Sequence, residues 1–268
     1  MTNGQSAMSF GSDWSFTTHA KASSSSDLAS EAARSGAPEG RGFLVLEQTA
    51  GRGRRGASWQ SAQGGMYFSM LLRPIVPPQY WFVLSFIAAL AIRDELGRLL
   101  GEDIVTLKWP NDVLAGTGAT RGKICGILLE ASGDQLIIGT GVNIASVDTP
   151  DGAKQPAVAI TDFDVTGITP EALATAYQQN FSRRYIAFNN VVASVSESND
   201  PASVFAPVRD EWLRHTAHQN ARLVVTHDGY EIAGQFVTLG ADGTMQILDD
   251  AGRTHHISTG DVALIGTI

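Results

Sequence analysis

The sequence predicts an α+β protein, a mixed-sheet domain followed by a small antiparallel β-barrel, on three observations. Apolar runs of strand length recur through the first two thirds of the chain, and two long segments carry apolar residues at helical spacing. From Arg222 the pattern changes to five short strands separated by turn residues. With 268 residues, 43% hydrophobic and 17% charged, the chain accommodates one medium domain and one small one. The partition falls at a loosely ordered segment 1–22, a main domain 23–218 and a barrel 219–268.

In chain order, residues 14–16 offer at most one strand before Asp27, which can cap a helix over 28–34 that stops near Gly36. Residues 43–46 and 66–72 read as strands, the second closed by Pro74. Leu84, Ile87, Ala88, Ala91 and Leu99 recur at helical spacing over 81–100, and Gly101 ends that pattern. Residues 104–107, 126–130 and 136–138 are further strands, the last two joined by the turn residues Ser132-Gly133-Asp134. After a loop over 145–156, Thr169 and Pro170 open a helix whose face is lined by Leu173, Tyr177, Phe181, Tyr185 and Phe188, a core stripe. A second helical stretch runs from Pro201 to His215 with a break or kink at Pro207. The barrel strands are 222–226, 231–239, 245–248, 254–258 and 262–265. So few residues make little core of their own, and the barrel is expected to dock on the main domain.

The run Ala50-Gly51-Arg52-Gly53-Arg54-Arg55-Gly56 follows the first apolar strand. Glycines let backbone N–H groups approach an anion, and guanidiniums fit carboxylate or phosphate. Alone, the run fits a solvated turn or a flexible basic segment gripping nucleic acid equally well. It is not a P-loop, because no Lys-Ser or Lys-Thr follows at the required spacing. A formal net charge of −8 disfavours a general nucleic-acid binder, so these arginines form a local positive spot suited to a small anion. The single cysteine, Cys125, lies in an apolar run and reads as a small buried hydrophobe; no intrachain disulfide can form. No secretory signal and no run of about 18 apolar residues is evident, so a cytoplasmic protein without membrane contact is expected. His215, His218 and His227 read as surface residues, and His255 and His256 fall on opposite faces of one strand, excluding a shared metal site.

Three further segments carry chemistry. Lys108-Trp109-Pro110-Asn111-Asp112 combines a cation, a stacking surface, a rigid turn and a hard oxygen ligand, although Pro-Asn-Asp alone is an ordinary turn. Arg121-Gly122-Lys123 leads into the strand holding Cys125, where Lys123 unaided reads as a snorkelling edge residue. Gly139-Thr140-Gly141-Val142-Asn143 closes a strand with two glycines and an amide, either a plain loop or a place where a ligand meets bare backbone.

Taken together, Gln48 through Gly56 with Trp59, Lys108 through Asp112, Gly122 through Glu130 and Gly139 through Asn143 resemble the biotin–protein ligases in order and spacing. The resemblance covers the chain from about Ser23 to its end. It implies a biotin/lipoate-ligase catalytic domain with a C-terminal SH3-like barrel, activating biotin with ATP to biotinyl-5′-adenylate. The biotinyl group then passes to a lysine of a carboxylase's biotin carboxyl carrier domain. Position by position, it implies biotin contacts from Ser25, Ser26, Asp27, Gln48, Gly51, Arg52, Gly53, Arg54 and Lys123, and nucleotide contacts from Arg54, Arg55, Trp59, Asn111 and Asn143. Lys123 and Arg54 would be the catalytic cations and Asp112 the Mg²⁺ ligand. The family usually reads Ser-Thr-Asn where this chain has Ser25-Ser26-Asp27. Residues 147–160 are expected to order over the adenylate. No helix-turn-helix segment is read before the catalytic part, so operator DNA binding is not expected; a homodimer is compatible with the resemblance. Two alternatives stand beside this reading: a lipoate or octanoate ligase or transferase of related fold, and a non-catalytic module that binds RNA or a protein partner.

Overall fold

A computed structural model describes residues 14–150, 153, 155–194, 201–227 and 229–265. In chain order the main domain comprises β1 (Ser15–His19), α1 (Ser25–Arg34), β2 (Arg41–Val45), β3 (Gly65–Leu72), α2 (Val83–Leu100), β4 (Val105–Lys108), β5 (Asp112–Ala115), β6 (Gly122–Ser132), β7 (Gln135–Asn143), α3 (Pro170–Ser194) and α4 (Pro201–Arg214). Five strands follow: β8 (Arg222–His227), β9 (Tyr230–Leu239), β10 (Met245–Leu248), β11 (Thr254–Ile257) and β12 (Asp261–Ile265). The first seven strands form one mixed sheet in the order β1-β2-β3-β7-β6-β5-β4, and the last five an antiparallel sheet in the order β11-β10-β9-β8-β12. β1 pairs in parallel with β2, so residues 15–19 belong to the main sheet; the expectation for residues 1–13 lies outside the described residues.

Strand periodicity decides which face carries what. β3 is buried along its whole length. Its Phe68, Met70 and Leu72 enter the large core with α2 and α3, whereas Leu71 joins Ala29 and Ala33 of α1 on the opposite face. Tyr67 and Ser69 share that second face, and β7 presents Gly139, Gly141 and Asn143 to it by the same alternation. β6 would send Lys123 and Cys125 to one side, but a register shift intervenes. Val113 pairs with Cys125 and Leu114 with Lys123, leaving Ile124 as the extra residue. This bulge keeps Ile124 and Cys125 in the core and turns Lys123 to the α1 face, where Gly126 also lies.

Three expectations are corrected. Ser24, not Asp27, caps α1: its side chain accepts from the Asp27 N–H, the geometry of a cap three residues upstream. α4 runs unbroken through Pro207, held by buried residues on both sides of it, Phe205 and Trp212, which meet the rings of Phe82 and Phe86. The expected turn is formed by Trp109, Pro110 and Asn111, and Asp112 opens β5 directly after it. His218 is completely buried and its Nε2 accepts from the Trp109 backbone N–H at 2.9 Å. An unprotonated imidazole is needed there, because the acceptor nitrogen has no proton to give. Trp109 in turn donates from its indole to the Gly243 carbonyl in the small sheet at 3.0 Å.

Burial, reinforced by the Lys108 charge, pushes His218 down from 6.5 to about 3. Between those values the unfolded chain binds a proton that the folded chain refuses, so this stability is fully present above 6.5 and is lost as pH falls toward 3. The urea midpoint of wild type should drop more steeply over that window than that of His218→Gln. Parallel profiles would contradict the burial of a neutral imidazole.

Candidate active site

The cavity of interest opens on the α1 face of the main sheet and holds about 200 Å³. Its inner end is hydroxyl-rich. Ser25 and Ser26, buried in the first turn of α1, come within 2.8 and 3.1 Å of the fully buried Ser69 hydroxyl. Gln48 accepts from the Ser25 N–H through Oε1 at 2.8 Å and donates to Ser61 Oγ through Nε2 at 2.8 Å. Tyr67 forms part of the wall, its hydroxyl donating to the Ala62 carbonyl, and burial pushes its phenol up to about 12, keeping it neutral.

Trp59 lies flat on two strands. A Cβ at Gly141 would stand 2.6 Å from its Nε1, and one at Gly126 would stand 2.9 Å from the ring. These glycines are therefore the bed of an indole. The ring also separates the first cavity from a second of about 180 Å³, lined by Asn143, Val147, Asp148, Pro150, Gln155 and Ala157 among others. Segment 155–158 is laid against β6 by the Lys123 N–H to the Pro156 carbonyl and the Val158 N–H to the Lys123 carbonyl, at 2.8 and 3.0 Å. Trp59 and Lys123 line both compartments, and the Trp59 Nε1 is buried with no hydrogen-bond partner among the described residues.

Lys123 stands at the junction. Its Nζ is 5.1 Å above the Trp59 ring centroid and 2.6 Å from Asp112 Oδ1. The other oxygen of Asp112 accepts from Lys108 at 3.1 Å. Burial raises the Asp112 carboxyl, but the Lys123 and Lys108 ammoniums outweigh it and hold the group ionised, below its ordinary value. Two cations on one anion leave a net positive charge. Both oxygens of Asp112 face ammonium groups, and among the described residues no three Asp, Glu, His or Cys side chains could hold an ion together, so a Mg²⁺ at Asp112 would need further oxygens from a bound ligand.

The three arginines take different partners. Arg52 donates to Asp27 Oδ1 at 2.6 Å and to Glu130 Oε1 at 3.3 Å, bridging the loop to α1 and β6. The hydrogen bond to Asp27 raises the Arg52 guanidinium above its ordinary value. Arg54 lines the cavity and has neutral acceptors instead, Asn111 Oδ1 at 3.2 Å and Thr259 Oγ1 at 2.9 Å. Burial first, then the neighbouring Arg55 charge, lower its pKa, the mark of an under-compensated cation. Arg55, at a positive φ of 54°, does not line the cavity and faces Thr259 and Asp261.

Of the residues expected at the site, Ser25, Ser26, Gln48, Arg52, Gly53, Arg54, Trp59, Asn111, Asp112 and Lys123 line the first cavity and Asn143 the second. Asp27, Gly51 and Arg55 line neither. Gly51 acts from behind: its carbonyl accepts the Trp59 N–H, and a Cβ there would strike Ser61 Oγ at 2.4 Å. Ser69, Tyr67, Glu130, Thr259 and Asp261 were not expected. Ser69 had a signal, as the one hydroxyl short of tyrosine inside the apolar run 66–72; Thr259 lies 205 residues from Arg54 and had none.

Residues 21–143 match the model of the biotin/lipoate A/B protein ligase family. A biotin–[acetyl-CoA-carboxylase] ligase of Paracoccus denitrificans is 34% identical over 217 residues, covering 78% of this chain and 85% of the relative. The chain belongs to the biotin–protein ligase family. A second member, from Mycobacterium tuberculosis, is 29% identical over 90% of this chain and 85% of its own length. The fold is shared with the Aquifex aeolicus biotin protein ligase solved with biotin and ATP, at a TM-score of 0.73 and 23% identity over 93% of this chain and 98% of that one.

Within this ligase-family chain, the Arg52 bridge holds the arginine loop without help from a ligand. In Asp27→Asn the half-exposed pair is worth under ~1 kcal/mol to global stability, but the loop itself should loosen. Backbone hydrogen exchange over residues 50–58 of the ligand-free protein should rise at low salt and converge with wild type at high salt. Equal exchange at low salt would remove the bridge from loop ordering.

Proposed function

We propose that this chain is a biotin–protein ligase that converts biotin and ATP to biotinyl-5′-adenylate and pyrophosphate, then transfers the biotinyl group to a lysine of a biotin carboxyl carrier domain. The observation that carries the reading is the meeting of two compartments at the Lys123 ammonium, with Trp59 as their common wall. Such a site suits two ligands that react with each other. The hydroxyl and amide groups of Ser25, Ser26 and Gln48 suit the polar ureido ring in the first compartment, and the second, with Asn143 and segment 155–158, suits the nucleotide.

The biotin carboxylate is itself the nucleophile. It attacks the α-phosphate, the new P–O bond forms as the bond to pyrophosphate breaks, and Lys123 and Arg54 offset the charge on the equatorial oxygens. In the second step the neutral acceptor amine attacks the acyl carbon and AMP leaves with the bonding electrons. No side-chain nucleophile is required, in keeping with Cys125, whose thiol burial pushes far up. Magnesium belongs to this reading as the counter-ion that ATP brings with its phosphates, not as a protein-held centre. The small C-terminal sheet is read as an SH3-like barrel (residues 219–268), the main domain as 23–218, and the protein as cytoplasmic; no described helix is long and apolar enough to cross a membrane.

Pyrophosphate exchange into ATP should depend on biotin and fail with lipoate or octanoate; exchange supported by lipoate would select the alternative reading. Lys123→Ala should lower biotin-dependent exchange at saturating ATP by about 10²–10³, the usual cost of one preorganised donor. Arg54→Gly should release more free biotinyl-adenylate than wild type while still forming it, measured by trapping the adenylate with hydroxylamine. Release at the wild-type level would deny Arg54 that role.

A further inference from the structure

We propose that the small sheet completes the active site, with Thr259 and Asp261 as positioning residues that aim Arg54 and Arg55 of the arginine loop. Thr259 lies in the turn between β11 and β12 and Asp261 opens β12; Gly260 between them is seated tightly, since a Cβ there would stand 2.7 Å from Val225 Cγ1. Packing on β8 therefore fixes where its neighbours project. The Thr259 hydroxyl oxygen accepts from Arg54 Nη2 at 2.9 Å and from Arg55 Nη2 at 3.2 Å. Asp261 lines the first cavity and stands 4.0 Å from Arg55 Nη1.

The choice of acceptor matters. A carboxylate binds a guanidinium roughly twice as strongly as a neutral oxygen does and cancels its charge. Arg52, which has two carboxylates, is consumed in holding the loop. Arg54 is held by a hydroxyl and an amide oxygen, with Asp112 and Asp261 acting on it only through space, so it is placed over the cavity with no carboxylate bonded to it and can yield those contacts to a phosphate. Asp261 stands beside Arg55, and its negative charge also acts on Arg54, offsetting part of the repulsion between the two guanidiniums. The small sheet thus sets the position of a cation more than two hundred residues earlier in the chain.

This inference rests on the ligase reading, and the test separates the two. Thr259→Val, Thr259→Ser and Asp261→Asn are compared with wild type in the full chain by biotin-dependent pyrophosphate exchange, by release of free biotinyl-adenylate and by thermal midpoint. Thr259→Val should raise the KM for ATP and the rate of adenylate release about 3- to 10-fold, the effect of losing one hydrogen bond to an uncharged acceptor, with kcat changed less than KM. Thr259→Ser, which keeps the hydroxyl, should restore both, with all midpoints close to wild type. Asp261→Asn should shift KM in the same direction. Wild-type values of KM and release in Thr259→Val, or a serine variant as defective as the valine one, would overturn the inference while leaving the ligase reading intact. Absence of biotin-dependent exchange in wild type would overturn both.

Discussion

The site depends on one buried carboxylate shared by two lysines. Asp112 opens β5 and Lys108 closes β4, so the β4–β5 pairing sets them side by side. Lys123 arrives from β6 only because a bulge reverses its side of the sheet. With side-chain exposures of 12% for Asp112 and 10% for Lys108, the group is largely desolvated. Removing the carboxylate from such a buried set costs about 3–5 kcal/mol, since two ammoniums are left uncompensated. Electrostatics, strand pairing and bulge are therefore one constraint, and the ligand-facing ammonium cannot be altered apart from the sheet that carries it.

The arginine loop shows how the same residue type is given different work by its partners. Arg52 is neutralised and structural, Arg54 is held by neutral oxygens, and Arg55 faces the small sheet. A cluster that looks in sequence like three equal anion hooks resolves into one strut, one available charge and one outward contact. The glycines divide similarly. Gly141 and Gly126 make room for an indole, and Gly51 makes room behind it.

Much of this was legible in advance, and the failures have physical causes. The long helices, the strand 66–72, the hairpin at Gly133 and the five short strands followed from periodicity and turn chemistry. Strands β6 and β7 proved longer than their apolar stretches because glycines interrupt the pattern where Trp59 lies on the sheet. The bulge at Ile124 leaves no mark in composition, so Lys123 reads as an edge residue unless family resemblance places it. His218 misled because an imidazole next to polar residues reads as exposed, and only the partner 109 residues away explains its burial.

The passage from α4 into the small sheet has a mechanical consequence. It is stitched to β4 by the Leu107 N–H to the His215 carbonyl and the Ala217 N–H to the Leu107 carbonyl, both at 2.8 Å, while Trp109 is wedged between His218 and Gly243. The C-terminal unit is bolted to the very hairpin that presents Asp112. It cannot swing like a door without disturbing the pairing of β4 with β5 that sets Lys108 beside Asp112.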